Sequence, residues 1–543
     1  MKIQYTARLG AAALFAAWCW DQLFWGKIPG VSFLLFVLLV LGIGAGLTWG
    51  ENLHPAKASL ALVPPVLLFA GMSFLRQEPF TLFVDYLLTL SLLALLATTW
   101  LGGRWPGYSL SDYIVRAARL VLDTLVRPLE VYLAREQEDL PTKHTKEMVE
   151  HKAFNDPESL GNAAPSAPSR SRFMRGSWAR PALSVASGLA LALPVVALLA
   201  SLLAAADPIF SQRLSELLAN FRLEKLGEYA VRSAVILTGA YLLCGALLHA
   251  LLSSREEKLT GDKKPWLPPF LGWLQAVIVL GCVDLLLASF VAVQFRYFFG
   301  GQANITSQGF TFAEYARRGF GELAAVAAIS LLLFLGLSNL TRRVGRTAKW
   351  TFSGLGVGLV TLVAVILVSA FQRLLLYEAA YGFTRIRTTT HVFMIWLGLL
   401  LLGTAALELF GRLRSFALAA LLAALGFSLT LNLLNVDGFI VHQNVARAAQ
   451  GEPLDAAYLV SLSEDAAPAL FQSFTSQSLP IEVRDELGGV LACRAALAVE
   501  RGASEDWPSF HWANFRAGKL YKENQQEIGG YQCPVDRAEW VDD

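Results

Sequence analysis

Charge is what this chain has least of. Lys, Arg, Asp and Glu make up 16% of its 543 residues, while 55% are hydrophobic. Soluble domains carry about a quarter charged residues, so a soluble chain built this way could not cover its surface with polar groups. The formal net charge is only +2. No basic patch with interleaved aromatics accompanies it, so no nucleic-acid partner is expected. Cysteine is also sparse, with 5 in the whole chain. Cys19, Cys244 and Cys282 fall inside apolar runs and read as packing residues. The familiar catalytic patterns are missing as well: HExxH, a P-loop, Cys/His metal spacing, a Ser/His/Asp set. His144 and His151 lie seven apart in a polar stretch, and His442 and His511 are isolated. No cofactor and no metal is expected.

What the chain does have is long apolar runs. About twenty helical residues cross the hydrocarbon core of a bilayer. Eleven stretches qualify: 9–25, 30–48, 58–75, 80–101, 181–205, 229–252, 270–295, 319–340, 350–376, 389–410 and 415–434. The first follows Lys2 and Arg8 in the manner of a signal peptide. A second run follows at once and no small-x-small cleavage site precedes it, so it reads as a retained helix. The expected fold is therefore all-α, a polytopic helical membrane bundle of about eleven spans, with a small helical extracytoplasmic C-terminal domain.

A long polar insertion separates the fourth and fifth runs. It opens with YSLSDYIVRAARLVLDTLVRPLEVYLAR, where Ile114, Ala117, Val121 and Leu125 recur at helical spacing. Ser109 and Asp112 have the spacing of a capping box. Pro128 is expected to kink or end the helix. Such a helix suits the cytoplasmic face of a membrane, or packing on the protein's own loops. The Pro-, Ser- and charge-rich segment that follows has too few large apolar residues to build a core. The organisation expected is four spans with the amphipathic helix in 1–135 and a flexible cytoplasmic linker in 136–178. A seven-span core follows in 179–435, then a helical tail in 436–543.

Orientation follows from Lys and Arg, which favour the cytoplasmic side. TRRVGRTAK at 341–349 is basic without an acidic residue, and RLR at 412–414 falls on the same side. The N-terminus is then cytoplasmic and the C-terminus extracytoplasmic, in a multi-pass cell-membrane protein. The acidic tail agrees with that side. Cys493 and Cys533 lie close enough in the tail's sequence to form a disulfide there if the compartment is oxidising.

Two polar clusters flank apolar runs on the outer side. The first is RLLLYEAAYGFTRIRTTTHVFMIW, residues 373–396. Arg373, Tyr377 and Tyr381 are spaced i, i+4, i+8 and share a helix face. Glu378, five after Arg373, is poorly placed to pair with it on one helix. Gly382 is a natural helix stop, which puts Arg385 and Arg387 in an outer loop. The second cluster is VQFRYFFGGQANITSQGFTFAEYARRGFGEL, with Gln294 and Arg296 ending one span and Glu322 in the first turn of the next. Together they could form one outward-facing polar site. Deeper in the runs lie Asp21, Asp284 and Glu408. An ionisable residue in hydrocarbon is costly and is a functional hypothesis by default. Asp284, in the middle of LQAVIVLGCVDLLLASFVAVQF, is the best of them. Arg412 could pair with Glu408 at i+4. Gly42-x-x-x-Gly46 and Gly354-x-x-x-Gly358 allow close helix approach.

FRYFFGG, EYARRGF and RLLLYEAAYGFTRIR, in this order, resemble a bacterial family of polytopic membrane proteins. That family is catalogued as a domain of unknown function (the DUF four-one-seven-three group, related to DUF four-one-five-three). AADPIF, NVDGFIVHQNVARA and YLVSLSEDAAPAL are similar to segments of the same family. The resemblance runs from about Ala179 to the C-terminus and is weaker over the first four runs. It implies a multi-span core and a helical tail, and brings no activity or catalytic residues.

Three functions compete. A transport or envelope-export component ranks first, on the spans, Asp284 and the outward cluster. A non-enzymatic assembly or sensor protein comes second, with the lipid bilayer and a protein bound through the tail or linker as partners. An enzyme acting on a lipid-linked substrate is third, with Arg373, Arg385 and Arg387 as phosphate ligands.

Overall fold

The computed structural model describes residues 3–139, 226–255, 269–298, 320–502 and 506–534. The expected span at 181–205 and the loop from FFGG to EYARR lie outside the described residues. By its contacts the chain divides into two units, 1–128 with 239–543, and 129–238. In the second unit the described residues are the end of one helix and the start of another, where Glu228 and Arg232 form an i,i+4 ion pair at 3.9 Å.

The first unit begins with α1 (Ile3–Phe24), α2 (Val31–Gly50), the single turn α3 (Lys57–Leu60), α4 (Val63–Leu75), α5 (Pro79–Thr99) and α6 (Leu110–Asp139), whose last turns belong to the second unit. After α7 (Leu226–Leu248) come α8 (Trp273–Phe298), α9 (Phe320–Leu340), α10 (Arg346–Tyr381), α11 (Arg385–Leu409) and α12 (Phe416–Leu434). Six shorter helices form the tail: α13 (Val436–Ala448), α14 (Ala456–Ser461), α15 (Ala467–Phe474), α16 (Ile481–Gly502), α17 (Trp512–Glu523) and α18 (Gln525–Ile528). Among the described residues, 9 helices are long and apolar enough to cross a membrane. The only sheet among them pairs β1 (Leu271–Gly272) with β2 (Thr341–Arg342) in parallel and ties the start of α8 to the end of α9.

Local chemistry sets the helix ends. Glu78 caps α5 by accepting from Phe80 N and Thr81 N, with Pro79 at the first helical position. Asn435 stands at φ 50°, ends α12 and begins α13, and its side chain accepts from Gly438 N. Asn tolerates this left-handed conformation better than most residues. Gly382, at φ 81°, stops α10. Ser109 and Asp112 bond reciprocally at the start of α6, through Ser109 N to Asp112 Oδ2 at 2.9 Å and Asp112 N to Ser109 Oγ at 3.4 Å.

Pro128 does not end α6, which continues through it to Asp139. Proline removes one backbone donor and crowds the carbonyl four residues earlier. Here α7 packs against this turn of α6 from outside. Tyr241 donates its hydroxyl to the Leu125 carbonyl, and Gly245 lies so close to the Thr124 backbone that a Cβ there would collide with it. Asp123 adds a polar latch, with His249 Nδ1 at 2.7 Å, Arg127 Nε at 2.9 Å and Ser253 Oγ at 3.2 Å. Burial works against the Asp123 carboxylate, but His249 and Arg127 outweigh it and hold its pKa below the ordinary value.

Two apolar cores differ in what drives them. In the tail, Ile440, Val441, Leu459, Leu470, Leu487 and Leu491 are buried together. Each such side chain is worth roughly 1.5–3 kcal/mol when removed from water. Between α8, α9, α10 and α11, Phe334, Phe352, Leu359, Ile366 and Leu374 pack in a second core. Inside a bilayer that gain vanishes, and close packing must hold the helices. Gly356 accordingly lies flat against the Phe334 ring, and Gly426 against Trp396.

The contacts sort the turns to two ends of this unit. At one end, the α1–α2 turn meets the tail through Val31 N to Phe510 O at 3.0 Å, and the α4–α5 turn through Gln77 N to Asp465 at 2.6 Å. At the other, Ser254 Oγ accepts from Leu101 N at 3.1 Å, and Arg343 crosses from the α9–α10 loop to Glu408 at 2.7 Å.

Candidate functional site

The turn between α10 and α11 is where the predicted residues converge. Arg373, Tyr377 and Tyr381 follow one another along α10, with the two tyrosine rings 5.0 Å apart. Arg385 and Arg387 do not lie in a loop as expected. They occupy the first turn of α11, which starts at Arg385. Positive charge at a helix N-terminus opposes the helix dipole, and each arginine finds compensation elsewhere. Arg385 grips Asp437 of α13 with two bonds, Nε to Oδ1 at 2.8 Å and Nη2 to Oδ2 at 2.7 Å. Arg387 turns back to the carbonyls of Tyr381 and Gly382, the negative end of α10, and lies 4.1 Å over the Tyr377 ring. Arg447 of α13 reaches the carbonyls of Ala379 and Ala380. Asn444 brackets Phe383, accepting from its N–H at 2.8 Å and donating to its carbonyl at 3.0 Å. Arg385 and Arg387 are thus engaged in holding the turn, which leaves little for a phosphate.

Beside this clamp sits a buried network between tail and bundle. Asp437, fully buried, also accepts from Ser463 N at 2.7 Å. Asp465 takes the N–H groups of Gln77 and Glu78, with Arg76 at 3.6 Å. Burial pushes the Asp465 carboxyl above its ordinary pKa. Arg494, 1% exposed, donates to the carbonyls of Leu462 and Ser463 and to Glu464 Oε2. Burial alone would lower the Arg494 pKa, but Tyr521 and Glu464 more than offset it and leave the guanidinium firmly charged. Sequence reading missed this network, because its hydrogen-bonded partners lie between 26 and 388 residues apart. The adjacent acids in SEDAAPAL were a local signal of it.

The remaining predicted residues lie on α8 and α9. Gln294 accepts from Ser369 on α10 at 3.2 Å, about one turn from Arg373. Glu322 is exposed at the start of α9. Arg296 lies near the end of α8, and its side chain falls outside the described residues. Asp284 is at mid-span on α8, where a Cβ added to Gly358 would sit 3.6 Å from its Oδ2. Its Oδ1 is buried without a hydrogen-bond partner. Gly358 precedes Arg373 by fifteen residues, roughly 22 Å of helix. Asp284 and the turn are therefore separate places on α10.

Two further charges change partners. Glu408 pairs with Arg343 and accepts from Ser353 Oγ at 2.7 Å, rather than meeting Arg412. The Arg412 N–H instead bonds to the Leu407 carbonyl as the chain turns. Asp85, fully buried within the apolar α5, went unremarked in the sequence. It accepts from Ser428 Oγ at 2.5 Å and from Asn432 Nδ2 at 2.9 and 3.0 Å, both on α12. In the tail, Cys493 and Cys533 form a disulfide. A groove of about 650 Å³ opens there beside Ala492, Val499, Gly518 and Tyr531, and none of the predicted site residues lines it.

The family model described as Domain of unknown function (DUF4153) matches residues 63–472, more than half of the chain. The chain belongs to the DUF4153 family. With its apolar helices, this DUF4153 protein is a multi-pass integral membrane protein. The matched region takes in the α10–α11 turn, Asp85, Asp284 and the acids of the network up to Asp465, and stops before Arg494. No curated protein and no solved structure matches the chain.

Proposed function

We propose that this DUF4153 protein is a transport component of the cell membrane that couples its work to a proton or small cation held by Asp284. One observation carries the reading. A carboxylate lies at mid-span in α8, in the glycine-bearing seam with α10, with one oxygen buried and unpartnered. Such a group is expensive in hydrocarbon and needs a proton, a cation or a donor. Packing alone would have favoured an apolar residue at a helix crossing of this kind. The test is proton flux into liposomes carrying the purified full chain under an imposed pH gradient. Wild type should outpace Asp284→Asn several-fold. Wild type no faster than protein-free liposomes under both the pH gradient and an imposed sodium gradient would overturn the reading.

The orientation belongs to the same proposal: N-terminus cytoplasmic, C-terminal tail extracytoplasmic. The basic segment 341–349 lies at the end opposite the tail, and the Cys493–Cys533 disulfide suits an oxidising compartment. The exposed apolar face of α6, with Ile114, Val121 and Leu122, then rests on the cytoplasmic leaflet. The division into a four-span unit, linker, seven-span core and tail is proposed with it. A reporter fused after Asp543 should be active only in its extracytoplasmic form.

A second reading, a membrane sensor or assembly protein, draws on the clamp between tail and bundle. Three turns, at 25–31, 76–79 and 381–385, are bonded to the tail. A partner bound by the tail would act directly on α10 and α11. Flux from full-length protein unaffected by Asp284→Asn, with activity following a tail-bound partner, would favour it.

A further inference from the structure

Next to the clamp, and apart from Asp284, lies a pair of titratable side chains that takes no part in the Arg385–Asp437 and Asn444–Phe383 bonds. Glu378 is 1% exposed on α10. His391 of α11 reaches it with Nδ1 3.1 Å from Glu378 Oε2, and its side chain is 13% exposed. The Phe371 ring closes one side, edge-on to the imidazole at 4.4 Å between centroids. Neither Glu378 oxygen completes a hydrogen bond, and His391 Nε2 is likewise buried without a partner.

This pattern differs from that of four other acids. Asp85, Asp437, Asp465 and Glu408 each accept two or more well-formed hydrogen bonds from fixed donors. Those bonds favour one charge state and serve architecture. Glu378 has only an imidazole, the side chain that changes charge in the physiological pH range. Leaving polar atoms unbonded in a buried seam costs free energy, so a purely structural role would be served better by apolar residues.

We propose that Glu378 and His391 form a proton-exchange site, a buried carboxylate–imidazole dyad that takes up and releases one proton at the tail end of α10 and α11. With the imidazole neutral the pair carries a charge of −1. One proton from bulk water, bound at a ring nitrogen, converts it to a neutral imidazolium–carboxylate pair, and its return to water restores the first state. No other bond changes. The two groups share this proton as a unit, so its loss belongs to the pair.

From α10 come the charged or titratable neighbours Arg373 and Tyr377, from α11 Arg387, and from α13 Arg447, which also meets Glu452 at 3.6 Å. Among the described residues, α10 also carries Tyr381 and α11 Arg385 near the pair, the latter bound to Asp437. Gln294 of α8 is held by Ser369, and α12 brings no charged residue. Arg387 and Arg447 face the α10 carbonyls, so neither neutralises Glu378 as a direct partner.

The site is tested by counting protons taken up by the full chain in detergent when pH is lowered from about 8 to about 5, across the range in which histidine changes charge. Glu378→Gln is expected to take up about one proton fewer than wild type, and His391→Asn likewise. The double variant should lose no more than one, because one site has been removed. Glu378→Gln taking up as many protons as wild type would overturn the proposal. So would a double variant that loses two. If Glu378→Gln does not fold, ring ¹⁵N spectra of the wild type decide. The signal absent from His391→Gln must change between neutral and charged imidazole over the same range, and a signal that stays neutral overturns the site. This count does not depend on flux, so it stands or falls separately from Asp284.

Discussion

Removing Asp437 is the most informative single perturbation of the tail clamp. Asp437→Ala deletes the acceptor of two Arg385 bonds, at 2.8 and 2.7 Å, and of the Ser463 N–H at 2.7 Å. Breaking a buried ion pair from one side typically costs about 3–5 kcal/mol, mostly from the charge left behind. Arg385 retains some relief, because its side chain is 24% exposed and Glu78 Oε1 lies 3.8 Å away. The lower end, about 3 kcal/mol, is therefore expected. For a unit of the tail's size this is a drop of about 10–20 °C in melting temperature. The assay is thermal unfolding of the detergent-solubilised full chain, followed by tryptophan fluorescence. Arg385→Met with Asp437→Leu removes the pair together and should recover most of the loss, since paired apolar replacements are often near neutral. The cycle should show coupling of about 2 kcal/mol or more. An Asp437→Ala protein melting within about 2 °C of wild type would refute the reasoning. Single variants whose effects simply add would refute it too.

Three further outcomes are expected. Tyr521 is buried against Arg494 and Glu464, and burial raises its pKa above the ordinary 10.0. The folded state then keeps this proton longer than the unfolded chain does, so its contribution is full below pH 10 and is lost as pH rises through the folded value. An alkaline melt series should show that loss in wild type and not in Tyr521→Phe. Cys493 and Cys533 close a separation of 40 residues, which gives about 4 kcal/mol on the chain-entropy account, so Cys493→Ala should lower tail stability by an amount of that order. A Cβ at Gly356 would fall on the Phe334 ring, so Gly356→Val should cost about 1–3 kcal/mol by overpacking, read as a lower melting temperature, while Gly354→Val, with open space at its Cβ, should cost less.

The long apolar runs made the helices and the membrane character legible, since length and hydropathy are local properties. Charged positions were read less well. α10 continues to Tyr381 because Arg447 and Arg387 supply its C-terminal carbonyls from other elements. Arg385 can open α11 because Asp437, fifty-two residues on, neutralises it. Local rules placed both arginines in a loop. The i+4 rule offered Arg412 to Glu408, yet Arg343, sixty-five residues earlier, takes the position. Pro128 sits inside α6, and the chain that packs beside that turn, with Tyr241 and Gly245, comes more than a hundred residues later. Asp85 was visible in PFTLFVDYLLTL, and its importance emerges only with Ser428 and Asn432 beside it. Tyr377 and Tyr381, by contrast, share a face as their spacing implied. Spacing within one helix is written locally, whereas the partner of a buried charge is chosen by topology.

The central claim is that Asp284 makes this DUF4153 protein a carrier of protons or small cations. The direct measurement is the transient current of liposomes bearing the full chain, adsorbed on a solid-supported membrane, after a pH jump or a sodium jump. A current in wild type that Asp284→Asn abolishes, while Asp85→Asn and Glu408→Gln keep it in proportion to their folded fraction, is the predicted result. The account is contradicted by a wild type that is silent to both jumps, or by a current that Asp284→Asn leaves intact.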